Sequence, residues 1–338
     1  MPSAQPPGAV FAMDPVHLPL LFPPPLVARL RRAAEIDPAL VVQDFTDAAA
    51  TPALADAEIL ITGWGCPRLD ASTLAAVPRL RTVLHAAGSV RSLIGEELWA
   101  RGVTVSSAAA ANAVPVAEYT LAMILLTGKR VLETARDYRA SRTRPDWLST
   151  PRTVGNHRRT VGVLSASLIG RRVIELLRPH DVEVLLHDPF VDEAGAAELG
   201  VRSVGLAELF RRSDTVSVHT PLLPATRGLV GRELIDTMRP DAVLINTARG
   251  AVLDQDALAD AALAGRIRAV LDVTDPEVLP PGHPLWQCDN VLLTPHLAGS
   301  QGNEWRRLAG LALSEIARWA SGEGFLHPVR RERLAFLA

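Results

Sequence analysis

Short apolar runs, separated by segments with helical spacing, recur along most of this chain. Aliphatic and β-branched residues fill the runs Ile59–Thr62, Leu80–His85, Thr160–Leu164 and Val216–His219. Runs of this length predict strands, and the intervening periodicity, as over Ile169–Leu177, predicts helices. Strands that alternate with helices predict parallel sheets, so we expect an α/β protein.

The 338 residues are enough for two such domains, each with its own core. The first 25 or so residues are rich in proline and are expected to form an irregular leader. The segment Asn112–Val131 is apolar almost all round, which predicts a buried helix. Residues 136–158, rich in arginine, proline and serine, predict an extended arm or loop.

Composition narrows the range of partners. A formal net charge of −2 gives no electrostatic reason to expect binding to nucleic acid or to an anionic membrane. The two cysteines, Cys66 and Cys288, lie far apart without metal-ligand spacing, which is typical of a reducing cytosol. Neither a signal peptide nor a membrane-spanning run is expected. We therefore predict a cytoplasmic protein without a metal site.

Three apolar runs in the C-terminal half are each followed closely by one residue whose side chain could take part in catalysis. The runs are Ala242–Asn246, Ala269–Val273 and Asn290–Thr294, and the residues that follow them are Arg249, Glu277 and His296. Ligands bind outside the carboxyl ends of strands in parallel sheets, so these side chains are expected to converge. Singly, each is more often a turn or solvated residue, but chance seldom places three complementary groups at three strand ends.

These three groups suit the interconversion of a ketone and an alcohol. His296 can exchange a proton near neutral pH, and Glu277 can orient its ring. Arg249 offers a planar fork for a substrate carboxylate and can polarise the neighbouring carbonyl.

A candidate phosphate loop joins a predicted strand to a predicted helix. The dinucleotide fingerprint is G-x-G-x-x-G, and the aligned residues here are SASLIG, with Ser165 and Ser167 in place of the first two glycines and Gly170 as the third. Serine can donate to a phosphate or crowd it, so dinucleotide binding and a plain turn both remain open. Asp188 ends the next strand, where an acid accepts from a ribose 2′-hydroxyl and repels a 2′-phosphate. This favours NAD over NADP.

Four segments resemble the D-isomer-specific 2-hydroxyacid dehydrogenases. They are VPVAEYTLAMILL, VHTPLLPATRGLV, LINTARGAVLDQDAL and NVLLTPHLAG. The resemblance implies two doubly wound parallel-sheet domains. A Rossmann-type NAD-binding domain, residues 114–299, would be inserted into a flavodoxin-like substrate domain formed by residues 1–113 and 300–338. It also implies a homodimer joined through the nucleotide domain.

The resemblance also implies site residues. Arg249 would bind the substrate carboxylate and carbonyl, His296 would act as acid and base, and Glu277 would be its partner. Backbone N–H groups of Ala87, Gly88 and Ser89 would receive the carboxylate, and Asp272 would meet the nicotinamide carboxamide. The implied cofactor-binding residues are Ser165, Ser167, Leu168, Ile169, Asp188, His219, Thr220, Pro221, Thr226, Thr247, Ala248, Asp272, His296 and Gly299.

The family pattern Asp-x-x-x-x-Glu, counted from Asp272, selects Glu277 over Asp275 as the acid. Formate dehydrogenases of this family carry Gln at that place, so Glu277 argues against formate. A chain ending at residue 338 is expected to lack the extra regulatory domain of many phosphoglycerate dehydrogenases.

Two hypotheses follow. The first is an NAD-dependent oxidoreductase that acts on a 2-hydroxy or 2-keto acid. The alternative is a non-catalytic dinucleotide-sensing or co-repressor-like protein of the same fold, suggested by Ser165 and Ser167. The three reactive residues count against the alternative. The substrate is not specified by the sequence: Trp64, Tyr138, Trp147 and Trp286 either shape a pocket or, more commonly for aromatics, anchor a core or an interface.

Overall fold

The structure is a computed structural model that describes residues 6–334. The chain forms two compact units: the residues up to Asn112 together with those from Ser300 onward, and the residues Ala113–Gly299. Each unit is built on one parallel β-sheet flanked by helices, so the expected α/β class is confirmed.

Strands and helices are numbered in chain order within the described residues. The strands are β1 Gly8–Ala12, β2 Glu35–Val42, β3 Ala57–Thr62, β4 Thr82–His85, β5 Thr104–Ser107, β6 Arg159–Leu164, β7 Val182–His187, β8 Arg202–Ser203, β9 Thr215–Val218, β10 Val243–Asn246, β11 Arg268–Leu271 and β12 Val291–Leu293. The helices are α1 Leu18–Leu21, α2 Pro24–Leu30, α3 Thr51–Asp56, α4 Ala71–Ala76, α5 Glu96–Ala100, α6 Ala109–Gly128, α7 Val131–Ser141, α8 Leu168–Leu177, α9 Glu193–Glu198, α10 Leu206–Arg212, α11 Arg232–Thr237, α12 Gln255–Leu263, α13 Trp305–Ala320 and α14 Arg331–Leu334.

The first unit contains a five-stranded sheet in the order β2-β1-β3-β4-β5. This is the flavodoxin-like order, with a topological switch point between β1 and β3. The returning segment is tied to β5 by Glu315 of α13, which is buried. Its carboxylate accepts from the hydroxyl of Ser106 at 3.0 Å and from the N–H groups of Leu326 at 3.2 Å and His327 at 3.1 Å.

The expectation of an irregular leader is wrong for the part of it that the structure describes. Gly8–Ala12 forms β1, which lies between β2 and β3 and has Phe11 fully buried. The prolines on both sides of this short apolar run hid its strand pattern. Residues 1–5 of the expected leader lie outside the described residues.

The second unit contains a seven-stranded sheet in the order β12-β11-β10-β9-β6-β7-β8. All neighbouring strands are parallel, and the order reverses between β6 and β9, as in a Rossmann-type sheet. Alternate residues of β10 enter different cores: Leu244 packs in one, and Val243 and Ile245 pack in the other. Burial on both faces explains why these strands are continuous apolar runs.

Two predicted segments of the second unit differ from the structure. Residues 136–141, expected to be part of an extended arm, belong to α7, a helix without a buried residue. The apolar helix is α6, which begins and ends three residues earlier than expected. Its length and composition would also suit a membrane crossing, a property that core helices share, and 39% of its most apolar window is buried.

Candidate active site

Three adjacent strands of the second unit end at the same level. Asn246, Leu271 and Leu293 are the last residues of β10, β11 and β12 and are register partners across the sheet. The chain continues from these ends to Arg249, Asp272 and His296 respectively. The topology therefore places Arg249, Glu277 and His296 after the ends of three adjacent strands, which is the arrangement that the predicted convergence requires.

His296 and Glu277 form a direct pair. The Nδ1 atom of His296 lies 2.6 Å from Oε1 of Glu277, and the two side chains are 49% and 59% exposed. The competing acid, Asp275, instead pairs with Arg227 at 3.2 Å. A charge-assisted bond of this length fixes the plane of the imidazole ring.

The backbone of His296 is held in an unusual conformation. Its φ of 52° lies in the left-handed region, which non-glycine residues seldom adopt. Its N–H donates to the carbonyl oxygen of Asp272 at 2.8 Å. The Asp272 carboxylate, which is 1% exposed, accepts from the hydroxyl of Thr294 at 2.6 Å and from the N–H groups of Leu297 at 2.9 Å and Ala298 at 3.0 Å. The end of β11 thus fixes the loop that carries His296.

Arg249 is placed by a second buried side chain. The amide of Asn246 donates to the carbonyl oxygen of Arg249 at 2.8 Å and accepts from the N–H of Ala248 at 3.0 Å. The next residue, Gly250, approaches the loop after β11 so closely that a Cβ would overlap the backbone of Thr274. Sequence reasoning did not single out Asn246 or Gly250. The only available signals were an amide at a strand end and a glycine beside the arginine.

The loop between β6 and α8 adopts a dinucleotide-type turn despite its serines. Ser165 has a φ of 81°, the left-handed conformation that the first glycine of the fingerprint would adopt without strain. Ser167 caps α8 by accepting from the N–H of Gly170 at 3.3 Å. A Cβ on Gly170 would overlap the carbonyl oxygen of Ser165, so only glycine fits there.

Asp188 stands at the end of β7 beside this turn. Its Oδ2 atom accepts from the N–H of Ala166 at 2.7 Å and from the hydroxyl of Ser165 at 3.2 Å, and Oδ1 accepts from the N–H of Phe190 at 2.8 Å. The N-terminus of α8 supplies the positive end of a helix dipole for a diphosphate. Together, the turn, the helix and the acid fit a dinucleotide.

The other predicted cofactor-binding residues occupy the same edge of the sheet. His219 follows β9 and is buried, and burial lowers its pKa to about 3, so its ring is neutral. Its Nε2 atom contacts the Ser217 hydroxyl at 2.9 Å. The remaining members follow β6, β9, β10 or β12: Leu168, Ile169, Thr220, Pro221, Thr226, Thr247, Ala248 and Gly299.

The predicted carboxylate loop belongs to the first unit. Ala87, Gly88 and Ser89 follow β4, and Trp64 follows the neighbouring β3. The Trp64 ring lies 5.6 Å from that of Trp305 and 5.5 Å from that of His17, forming an aromatic cluster. The other aromatic residues considered from the sequence, Tyr138, Trp147 and Trp286, are all more than half exposed.

The sequence matches the family model described as "D-isomer specific 2-hydroxyacid dehydrogenase, NAD binding domain" over residues 121–298. The chain belongs to this family. The predicted resemblance is therefore confirmed, and the family's NAD-binding domain coincides with the sheet that carries Ser165, Asp188 and His296. Among residues 6–334, no three His, Cys, Asp or Glu side chains cluster to hold a metal.

Relatives and solved structures of the family agree with this assignment. D-3-phosphoglycerate dehydrogenase of Mycobacterium leprae is 34% identical over 76% of this chain, and glyoxylate reductase of Aeropyrum pernix is 33% identical over 78%. The aligned region covers 48% of the first relative and 81% of the second, so this chain spans about half the length of the phosphoglycerate dehydrogenases it matches. A phosphoglycerate oxidoreductase from Rhizobium etli shares the fold, with a TM-score of 0.82 at 24% identity over 96% of this chain and 99% of that one.

Two helical glycines should respond oppositely to alanine. Gly170→Ala should lower the free energy of unfolding by about 1–3 kcal/mol and weaken NADH binding, because the new methyl group meets the Ser165 carbonyl. Gly310→Ala, in α13, should raise the free energy of unfolding by about 0.5–1 kcal/mol, because a Cβ at this position meets open space. Urea unfolding and NADH fluorescence measure both effects. An unchanged NADH affinity in Gly170→Ala would show that the turn does not bind the cofactor.

Proposed function

We propose that this chain is an NAD-dependent dehydrogenase that interconverts 2-hydroxy and 2-keto acids. The observation that carries the proposal is the 2.6 Å contact between His296 and Glu277, located at the same sheet edge as Arg249 in the NAD-binding domain of this family. A histidine paired with a carboxylate, at the same sheet edge as an arginine, supplies the groups for proton transfer and for carboxylate binding.

The contact with Glu277 supports protonation of His296 at Nδ1. Glu277 accepts the Nδ1 proton of His296, which leaves Nε2 to exchange a proton with the substrate oxygen. In the reductive direction, Nε2 donates to the carbonyl oxygen as a hydride reaches the carbonyl carbon, so the C=O bond becomes H–C–O–H. Arg249 binds the substrate carboxylate and draws electron density from the carbonyl oxygen. The nicotinamide, when bound, supplies or accepts the hydride.

We assign the loop Ala87–Ser89 of the first unit to carboxylate binding as well, since successive backbone N–H groups suit an anion. Thr220, Pro221, Thr226, Thr247 and Ala248 are assigned to the nicotinamide and ribose side, and Asp272 to the carboxamide. The names of the relatives support compact 2-keto acids as first substrates to test, with glyoxylate among them.

A non-catalytic dinucleotide sensor is the second candidate, favoured only by Ser165 and Ser167. The left-handed backbone of His296 counts against it. Such strain costs about 1–3 kcal/mol and persists mainly where a site needs it. A protein that only binds the dinucleotide has no need of an oriented imidazole.

Substitutions at His296 and Arg249 test the catalytic proposal. His296→Asn should lower kcat/KM for reduction of a 2-keto acid by about 10²- to 10⁴-fold, because it removes the proton donor. Arg249→Gln should lower it by about 10- to 100-fold, because it removes a charge-assisted pair worth roughly 1.5–3 kcal/mol. Steady-state rates over a panel of keto acids with NADH and NADPH give both values.

His157→Asn is the matched control, because His157 also pairs with a carboxylate, that of Asp181 at 2.8 Å, but lies exposed away from this edge. It should keep wild-type turnover. Wild-type rates in His296→Asn or Arg249→Gln would refute the assigned roles. Failure of the wild-type protein to bind NADH or NADPH at millimolar concentration would refute the enzyme proposal itself.

Asp188 is proposed to select NADH over NADPH. Asp188→Ser should reduce the ratio of kcat/KM values for NADH and NADPH by about tenfold or more, since repulsion of a 2′-phosphate is removed. Asp192→Ser removes a charge just beyond the same strand and retains the cap of α9, so its ratio should not change. Equal shifts in both variants would indicate a general charge effect instead.

We also propose a cytoplasmic homodimer that associates through the nucleotide domain and binds neither nucleic acid nor membranes. Light scattering should give twice the chain mass of 36.3 kDa. A mass equal to that of one chain at micromolar concentration would exclude the dimer.

A further inference from the structure

We propose that Tyr119, on α6, is a positioning residue for the loop that carries His296, and that it acts through Thr294 and Asp272. This inference rests on the proposed function, in which His296 exchanges the proton. Tyr119 lies in the segment VPVAEYTLAMILL, whose resemblance to the family implied no role for it, and it is separated from Thr294 by 175 positions.

A chain of hydrogen bonds leads from Tyr119 to the buried carboxylate. The Oη atom of Tyr119 lies 2.9 Å from Oγ1 of Thr294, and that oxygen lies 2.6 Å from Oδ1 of Asp272. The threonine hydroxyl has one hydrogen, which it donates to the carboxylate. The phenol of Tyr119 must therefore donate to Thr294, and each bond strengthens the next.

Tyr119 is suited to remain a donor. Burial is the largest cause that raises the pKa of the Tyr119 phenol above 10, and the negative charge of Asp272 adds to it, while the contact with Thr294 acts in the opposite direction. The phenol therefore stays protonated at neutral pH. A donor at this position keeps the Thr294 hydroxyl directed at Asp272.

Asp272 connects the hydrogen bonds of Tyr119 and Thr294 to the backbone of His296. The same carboxylate accepts from the N–H groups of Leu297 and Ala298, and the carbonyl oxygen of Asp272 accepts from the N–H of His296. These bonds enclose a residue whose backbone is strained, and such strain persists only where the surroundings over-determine it. Loss of the hydrogen bond between Tyr119 and Thr294 should let the loop relax, and the imidazole ring of His296 would then be misdirected.

The structure offers a matched pair of variants, because the chain contains only two tyrosines. Tyr119→Phe keeps the ring and removes the hydroxyl. It should lower kcat with a 2-keto acid by about 3- to 10-fold, the value of one neutral hydrogen bond, and leave the NADH dissociation constant within twofold of wild type. Tyr138→Phe, on the exposed helix α7, should change neither quantity.

A double-mutant cycle distinguishes positioning from simple packing. Thr294→Val removes the hydroxyl that links Tyr119 to Asp272 while it keeps the shape of the side chain. In the Thr294→Val background, Tyr119→Phe should therefore cause no further loss of kcat. Additive losses of kcat would overturn the proposal, as would an unchanged kcat in Tyr119→Phe or a parallel loss of NADH affinity.

Amide hydrogen exchange over residues 291–300 gives a readout that does not depend on turnover. The exchange of Leu297 and Ala298 should be faster in Tyr119→Phe and in Thr294→Val than in wild type and Tyr138→Phe. Unchanged exchange would overturn the positioning role. If the wild type reduces no keto acid while exchange accelerates as expected, the proposed function fails and the structural link survives.

Discussion

The carboxylate of Asp272 is the interaction on which the site depends. A charge with 1% of its surface exposed is costly unless donors surround it, and here one hydroxyl and two N–H groups do so. All three donors belong to the loop after β12. The loop therefore cannot move away without leaving a buried charge unsatisfied, and His296 is fixed because its loop is fixed.

In the proposed function, the same carboxylate also serves the cofactor. A carboxylate offers about four acceptor positions, and the loop uses three of them, two on Oδ1 and one on Oδ2. One position on Oδ2 remains for an N–H donor such as the nicotinamide carboxamide. Under that proposal, one aspartate both holds the loop that carries His296 and binds the carboxamide of the nicotinamide.

Much of the fold follows from local pattern, because strands buried on both faces must be continuous apolar runs. That is why β6, β9, β10 and β11 were predictable, and why strand-end logic placed Arg249 and His296 at one edge. β1 was missed because flanking prolines outweighed a five-residue run. The roles of Asn246, Thr294 and Tyr119 could not be predicted, since they depend on partners brought together only by the tertiary fold. The separation of 175 positions between Tyr119 and Thr294 has no signature in sequence.

The serine-substituted phosphate loop repeats the device found at Asp272. A non-glycine residue in the left-handed region is less stable by roughly 1–2 kcal/mol, and Ser165 adopts this conformation. The offset comes from Asp188, whose Oδ2 accepts from the Ser165 hydroxyl and from the N–H of Ala166. Glycine would need no such support. Asp188, which is proposed to bind the ribose, therefore also stabilises the turn that is proposed to bind the diphosphate. Its Oδ1 atom has room for one further donor. At the ends of both β7 and β11, an aspartate therefore supports a loop that contains a strained residue and retains one acceptor position for the proposed contact with the cofactor.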